Sequence, residues 1–266
     1  MCDVTIICCY NKLNVYEKFL DTLKNQTCKF KIIALDNTGN SNFKSCAQAY
    51  NQATKNVDTK FIIYSHQDIL LNQKDTLEKF LSYLNKIGSN DILGVAGVKI
   101  DKPGVFTNIR GLYNEFKKSD ISGDYRIDKN QMIALDVIDE CFFGGYTQNF
   151  LNNPFNEILC DNWHLYSVER CLNARKNNNK VFACDIDLTH YSSGTLNGDF
   201  RKGFYKLSRF YAHDFKFIRT CCDYSKTNFF SALMHYICPV HFSDLTYIFL
   251  TKTGLLKIVK KILGRK

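Results

Sequence analysis

Residues 61–68 read Phe-Ile-Ile-Tyr-Ser-His-Gln-Asp. A short run of large apolar residues that stops at polar ones reads as a strand buried on both faces. Two similar runs precede it. Residues 4–9 (VTIICC) end in Tyr10-Asn11, and residues 31–35 (KIIAL) end in Asp36-Asn37-Thr38-Gly39. A fourth run, residues 93–98 (LGVAGV), follows. Helical patterns fill the gaps: Val15, Phe19, Leu20 and Leu23, a polar-rich stretch over 43–57, and Leu77, Phe80, Leu81 and Leu84 within 75–87, where Asp75 sits near the cap. Alternation of this kind predicts an α/β fold with a parallel sheet. Ligands of such sheets bind beyond the carboxyl ends of the strands. Asn11, Asp36-Asn37 and His66-Gln67-Asp68 all fall at such ends.

The chain is more irregular over residues 101–131. Residues 134–138 (ALDVI) resume a strand, followed by Asp139-Glu140-Cys141-Phe142-Phe143-Gly144-Gly145. Residues 161–175 read as a helix that Asn177-Asn178-Asn179 breaks. Residues 181–183 read as a strand leading through Asp185 and Asp187 to His190. Beyond residue 199 the pattern is mostly helical.

A dinucleotide fingerprint would need glycines after the first strand, and 10–14 is Tyr-Asn-Lys-Leu-Asn. A Walker A loop is also missing. Asp68, just past a buried strand, can hold a divalent cation against a diphosphate, since Mg²⁺ typically takes one or two carboxylates plus phosphate oxygens. His66, two residues away, points the same way in extended backbone. Read alone, the pair is better explained as a cap of the next helix or turn.

Taken together, VTIICCYN, IIALDNTG, FIIYSHQDI, LGVAGV, LDVIDECFFGG, FNEILCDNWHLYSVERCLNAR and VFACDIDLTHYSSG resemble, in order and spacing, bacterial family-two-type glycosyltransferases of GT-A fold. The nearest branch is the one with His-Gln-Asp in place of Asp-x-Asp. The resemblance covers residues 1–198. It implies a Rossmann-like, mostly parallel sheet flanked by helices, with 199–266 as a C-terminal helical extension. It also implies a nucleotide-sugar donor, a UDP-sugar favoured, bound by Asn11, Asp36, His66 and Asp68. Asp68 and His190 would ligate Mn²⁺ or Mg²⁺. The catalytic base would lie at a helix start, Asp161 first and Glu169 second. Asp139 is a further acidic candidate beside the acceptor, and Trp163 and His164 are candidates to stack on an acceptor sugar. A core or interface role is the commoner use of a Trp. Inversion at the anomeric carbon is implied as well.

The chain has 266 residues and a formal net charge of +9. The charge is not spread evenly. Residues 1–198 hold 22 Lys+Arg and 22 Asp+Glu, whereas residues 199–266 hold 13 and 4. A neutral first part argues against a nucleic-acid-binding protein, which the total alone would suggest. The missing glycine-rich basic loop argues against a sugar nucleotidyltransferase. Within 253–264 (TGLLKIVKKILG), Leu255, Ile258, Val259 and Ile262 recur at helical spacing with Lys257, Lys260 and Lys261 opposite. Such a helix can lie on an anionic membrane surface, the favoured reading; the alternative is packing on its own domain or on a partner subunit. An enzyme extending a glycan or glycolipid acceptor (lipopolysaccharide, lipooligosaccharide or capsule) would gain from the first. The 12 Cys include no Cys-x-x-Cys, and the start carries no secretory pattern. Buried reduced thiols are therefore expected, in a cytoplasmic protein peripheral on the inner face of the plasma membrane.

Overall fold

The computed structural model describes residues 3–111, 125–191 and 197–237. The chain runs β1 (Val4–Tyr10), α1 (Leu13–Lys24), β2 (Lys31–Asp36), α2 (Cys46–Thr54), β3 (Phe61–Ser65), β4 (Ile69–Leu71), α3 (Thr76–Leu84), β5 (Ile92–Gly94), β6 (Ala96–Val98), β7 (Phe106–Thr107) and β8 (Arg110–Gly111). It continues with β9 (Met132–Leu135), β10 (Val137–Ile138), β11 (Phe142–Tyr146), α4 (Thr147–Asn152), α5 (Tyr166–Lys176), β12 (Val181–Cys184), β13 (Leu188–His190), α6 (Gly198–Phe210), β14 (Phe217–Arg219), β15 (Tyr224–Lys226) and α7 (Phe229–Ile237).

Seven strands form the central sheet in the order β2-β1-β3-β11-β5-β12-β9. The pairs β1–β2, β1–β3 and β5–β12 are parallel. The sheet is mixed, however: β11 runs antiparallel to both β3 and β5, and β9 antiparallel to β12. The strand period of two sorts the side chains of β1 and β3 into two layers. Val4, Ile6, Cys8, Phe61 and Ile63 pack with Phe19 and Leu23 of α1 and Leu77, Phe80 and Leu84 of α3. Ile7, Ile62 and Tyr64 face the opposite cluster, which holds Ala47 and Tyr50 of α2 and Tyr166 and Leu172 of α5. Burial on both faces is why these strands read as continuous apolar runs.

The structure departs from the sequence reading in four places. β2 is an edge strand with half its residues exposed, not a buried one. The run 93–98 splits at Val95 into β5 and β6, which join different sheets, and 134–138 splits at Asp136 into β9 and β10. Gly97 makes the crossing possible: a Cβ there would lie 2.2 Å from the Val137 carbonyl oxygen. The Phe-Phe-Gly-Gly stretch, given no element in the sequence reading, is β11, in the middle of the sheet. Gly144 lets it approach β3, since a Cβ would lie 2.1 Å from the Ile62 carbonyl oxygen. Finally, α5 starts at Tyr166 and not at 161, because Leu165 takes a left-handed conformation (φ 68°) at its N-cap.

Residues 199–237 are helical with a short hairpin, β14–β15. Phe200, Phe204 and Leu207 of α6, with Tyr211 just after it, share the core cluster of α2 and α5. The basic helix expected over 253–264, like Ser192–Gly194 and His241, lies outside the described residues. Among the described residues, no helix is long and apolar enough to cross a membrane. The described cysteines are all free thiols, most of them buried.

Candidate active site

β1, β2 and β3 are parallel, so their carboxyl ends meet on one edge of the sheet. A cleft of about 460 Å³ opens there, lined by residues that include Tyr10, Asn11, Asn37, Asn40, His66, Gln67, Asp68, Trp163 and Tyr166. Gln67 ties the first strand end to the third. Its Oε1 accepts from the backbone N–H groups of Asn11 (3.1 Å) and Lys12 (3.0 Å), and its Nε2 donates to Asn11 Oδ1 (2.8 Å). The Asn11 amide then donates to Asn40 Oδ1 at 3.1 Å. Asn37 is buried and folds the β2 loop by accepting from the N–H groups of Asn42 and Phe43. Asp36 stands beside it, exposed, its Oδ1 accepting from Thr38 N–H at 2.8 Å. Those bonds to Thr38 hold its carboxyl below the ordinary value.

At the end of β3, His66, Asp68 and His190 bring one ligand atom each within 4.8 Å of one another. His190 Nε2 lies 3.4 Å from Asp68 Oδ1 and 3.5 Å from His66 Nδ1. His66 Nε2 is hydrogen-bonded to the Tyr166 hydroxyl at 2.9 Å. Burial pushes the Asp68 carboxyl up, but the bond and charge of His190, with His66, bring it down to about 2. Burial lowers His66, favouring the neutral imidazole that a metal needs. Burial also lowers His190, yet its bond to Asp68 outweighs this and leaves it raised. Two imidazoles and one ionised carboxylate form an N,N,O donor set that fits a transition-series divalent ion better than Mg²⁺, which prefers oxygen. Asp139 and Cys141 also approach His190. Burial raises the Cys141 thiol well above its ordinary value.

The sequence-predicted residues therefore divide. Asn11, His66, Asp68 and Trp163 line the cleft, His190 joins it, and Asp36 stands at its edge. The other carboxylates are engaged. Asp161 precedes the helix in a loop and pairs with Lys206 at 2.6 Å, so it does not open α5 as expected. Glu169 is buried and accepts from the Tyr211 hydroxyl at 2.8 Å. Asp139 Oδ1 accepts from Cys141 N–H at 3.0 Å. His164 packs edge-on against Phe200, away from the cleft lining. Sequence reasoning missed Gln67 as a clasp, Tyr166 as the partner of His66, and Glu140, which has a buried unpartnered oxygen. Tyr166 carries no local signal, because only tertiary packing brings it to β3.

A mixed sheet with helices on both faces, and a His-Asp-His cluster at the carboxyl ends of its parallel strands, define a glycosyltransferase of GT-A fold. Residues 5–191 match the family model described as Glycosyltransferase like family, and the chain belongs to that family. Among solved structures it is similar to S. aureus TarS 1–349 in complex with UDP-GlcNAc, with a TM-score of 0.51 and 14% identity over 80% of this chain and 66% of that one. It is also similar to GalNAc-T7 with UDP, GalNAc and Mn²⁺, with a TM-score of 0.56 and 8% identity over 80% of this chain and 50% of that one. The chain thus spans less than two thirds of the length of these relatives. No curated protein matches it.

Proposed function

We propose that the chain moves a sugar from a nucleoside-diphosphate donor, a UDP-sugar favoured, to a hydroxyl of a bacterial surface glycan or glycolipid, with inversion at the anomeric carbon. The observation that carries this reading is the convergence of Asp68, His66 and His190 beside the cleft between the ends of β1 and β3. UDP is bound in both the TarS and GalNAc-T7 structures, which supports a UDP donor.

Asp68, His190 and His66 would hold Mn²⁺ in preference to Mg²⁺. The ion's chemistry is to neutralise the diphosphate as charge builds on the leaving group. Asn11 and Asp36 bind the nucleoside, and Gln67 keeps Asn11 in place. Tyr166 orients His66. Trp163 lines the cleft and offers a face to the acceptor sugar. Asp139 lends charge to His190.

The enzyme works in the cytoplasm, peripheral on the inner face of the plasma membrane. Exposed Phe230 and Ile237 on α7 support this, as does the basic α6 with Arg201, Lys202, Lys206 and Arg209. Liposome co-sedimentation of the full chain against a 1–251 truncation checks the anchor; equal partitioning would exclude it. The donor is tested by a melting-temperature screen of UDP-, GDP-, CMP- and dTDP-sugars with Mn²⁺ or Mg²⁺. A shift with one nucleotide sugar, larger with Mn²⁺ and lost in Asp68→Asn, is the expected result. No shift with any donor would sink the reading.

A further inference from the structure

We infer that Glu140 is the general base of the transfer, its free Oε1 taking the proton of the acceptor hydroxyl. This rests on the reading of the chain as a nucleotide-sugar transferase.

Transfer to a hydroxyl needs a group that removes the hydroxyl's proton as the new bond forms. Asp161, Glu169 and Asp139 are engaged by Lys206, Tyr211 and the Cys141 N–H respectively. Asp68 faces two imidazoles. Glu169 Oε2 is also buried without a partner, but Glu169 lies on α5 past Tyr166 with its other oxygen bound to Tyr211; Glu140 is placed differently. It follows β10 and leads into β11, on the edge of the sheet where the cleft opens. The carbonyl oxygen of the next residue, Cys141, accepts from the His66 N–H at 2.9 Å, so Glu140 stands beside the end of β3 that carries His66. The backbone N–H groups of Leu165 and Tyr166, at the start of α5, favour the ionised form of Glu140. A carboxylate at this helix start, added to Glu169 in the first turn, is favoured by the helix dipole. Glu140 Oε1 has no partner although it is buried, as is true of Glu169 Oε2. A buried acceptor without a donor costs free energy, so such an atom calls for a reason. A substrate hydroxyl arriving in the cleft supplies the missing donor.

In the step itself, the acceptor oxygen forms a bond to the donor's anomeric carbon. The bond from that carbon to the diphosphate oxygen breaks, and its electron pair leaves with the nucleoside diphosphate. The hydroxyl proton goes to Glu140 Oε1. Burial, with the charge of Asp139, raises the Glu140 carboxyl well above its ordinary value, against the pull of the two N–H groups.

The test uses the full chain, Mn²⁺ and whichever of UDP-, GDP- or dTDP-sugars raises the wild-type melting temperature. Nucleotide release is followed with water as acceptor and then with azide, which has no proton to lose. Glu140→Gln should bind the donor within twofold of wild type and release nucleotide in water about 10²–10⁴-fold more slowly. Azide should restore release and give a glycosyl azide visible by mass spectrometry, and Glu140→Asp should recover part of the rate in water. Wild-type release in water by Glu140→Gln would overturn the assignment. Azide failing to restore a variant that still binds donor would also overturn it, because the defect would then not be proton removal. If no nucleotide sugar stabilises the wild type, the transferase reading itself falls. Donor binding by the wild type combined with unimpaired Glu140→Gln defeats the Glu140 assignment alone.

Discussion

His190 Nε2 lies 3.4 Å from Asp68 Oδ1, and the register of two short strands sets that distance. β13 pairs antiparallel with β4 so that His190 stands opposite Ile69, one residue past Asp68. The Tyr191 N–H donates to the Asp68 carbonyl oxygen at 2.9 Å and closes the pairing. The cluster is therefore built by backbone pairing outside the main sheet, and its side chains only complete it. Asp68→Asn keeps this backbone and removes the charge. The expected result is loss of Mn²⁺-dependent donor stabilisation and a fall in transfer of more than about 100-fold, beyond what loss of a supporting contact costs. The melting temperature without metal should change little. Transfer at the wild-type rate would remove Asp68 from the site.

Tyr166 tests whether the orientation of His66 matters. Its hydroxyl is hydrogen-bonded to His66 Nε2 at 2.9 Å, leaving Nδ1 toward Asp68 and His190. The ring is buried among Tyr50, Phe143 and Phe155, so Tyr166→Phe retains the packing. Groups that orient a metal-ligating histidine are worth about 10–100-fold in affinity. A Mn²⁺ titration of the donor-dependent melting shift should move to higher concentration by that factor. An unchanged midpoint would show that His66 needs no second partner.

β1 and β3 were legible because both their faces are buried, which removes alternation and leaves a plain apolar run. The faces of α1 and α3 were legible because Phe19 and Leu23, or Leu77, Phe80 and Leu84, recur at the helical period. β11 was not legible. Phe142-Phe143-Gly144-Gly145-Tyr146 carries two glycines where strands usually avoid them, and their reason is the close approach to β3, a tertiary fact. The site divides in the same way. Asn11, Asp36 and Asp68 sit at strand ends that the sequence marks. His190 was reached only through the family resemblance, because nothing local pairs β13 with β4. Glu140 and Tyr166 meet only once β10, β11 and α5 have packed.

Gly144 gives a test of that tertiary reading. A methyl group there would lie 2.1 Å from the Ile62 carbonyl oxygen, a backbone atom that cannot move without breaking the β3–β11 ladder. Overpacking of this kind costs about 3 kcal/mol or more in a tight site. Gly144→Ala should lower the melting temperature on the order of 10 °C. A variant as stable as wild type would mean that β11 does not sit against β3 as described.

Glu169 gives a prediction in pH. Burial raises its carboxyl above the ordinary glutamate value, while the Tyr211 hydroxyl and Arg170 pull partly the other way. A folded-state value above the unfolded one means that the folded protein binds the proton more tightly. The resulting stability is fully present below the ordinary glutamate value and is lost as pH rises through the raised one. Glutamine cannot ionise, so Glu169→Gln removes this dependence whatever fixed offset the amide adds through its own contacts. The melting temperature of Glu169→Gln minus that of wild type should therefore grow more positive between pH 4 and pH 8, measured without metal or donor. Tyr211→Phe, which deletes the donor to Glu169 Oε1, should steepen the wild-type trend, since less then opposes the cost of burying the charge. A difference that stays flat, or that falls with rising pH, would mean that Glu169 is ionised in the folded protein as readily as in the unfolded chain.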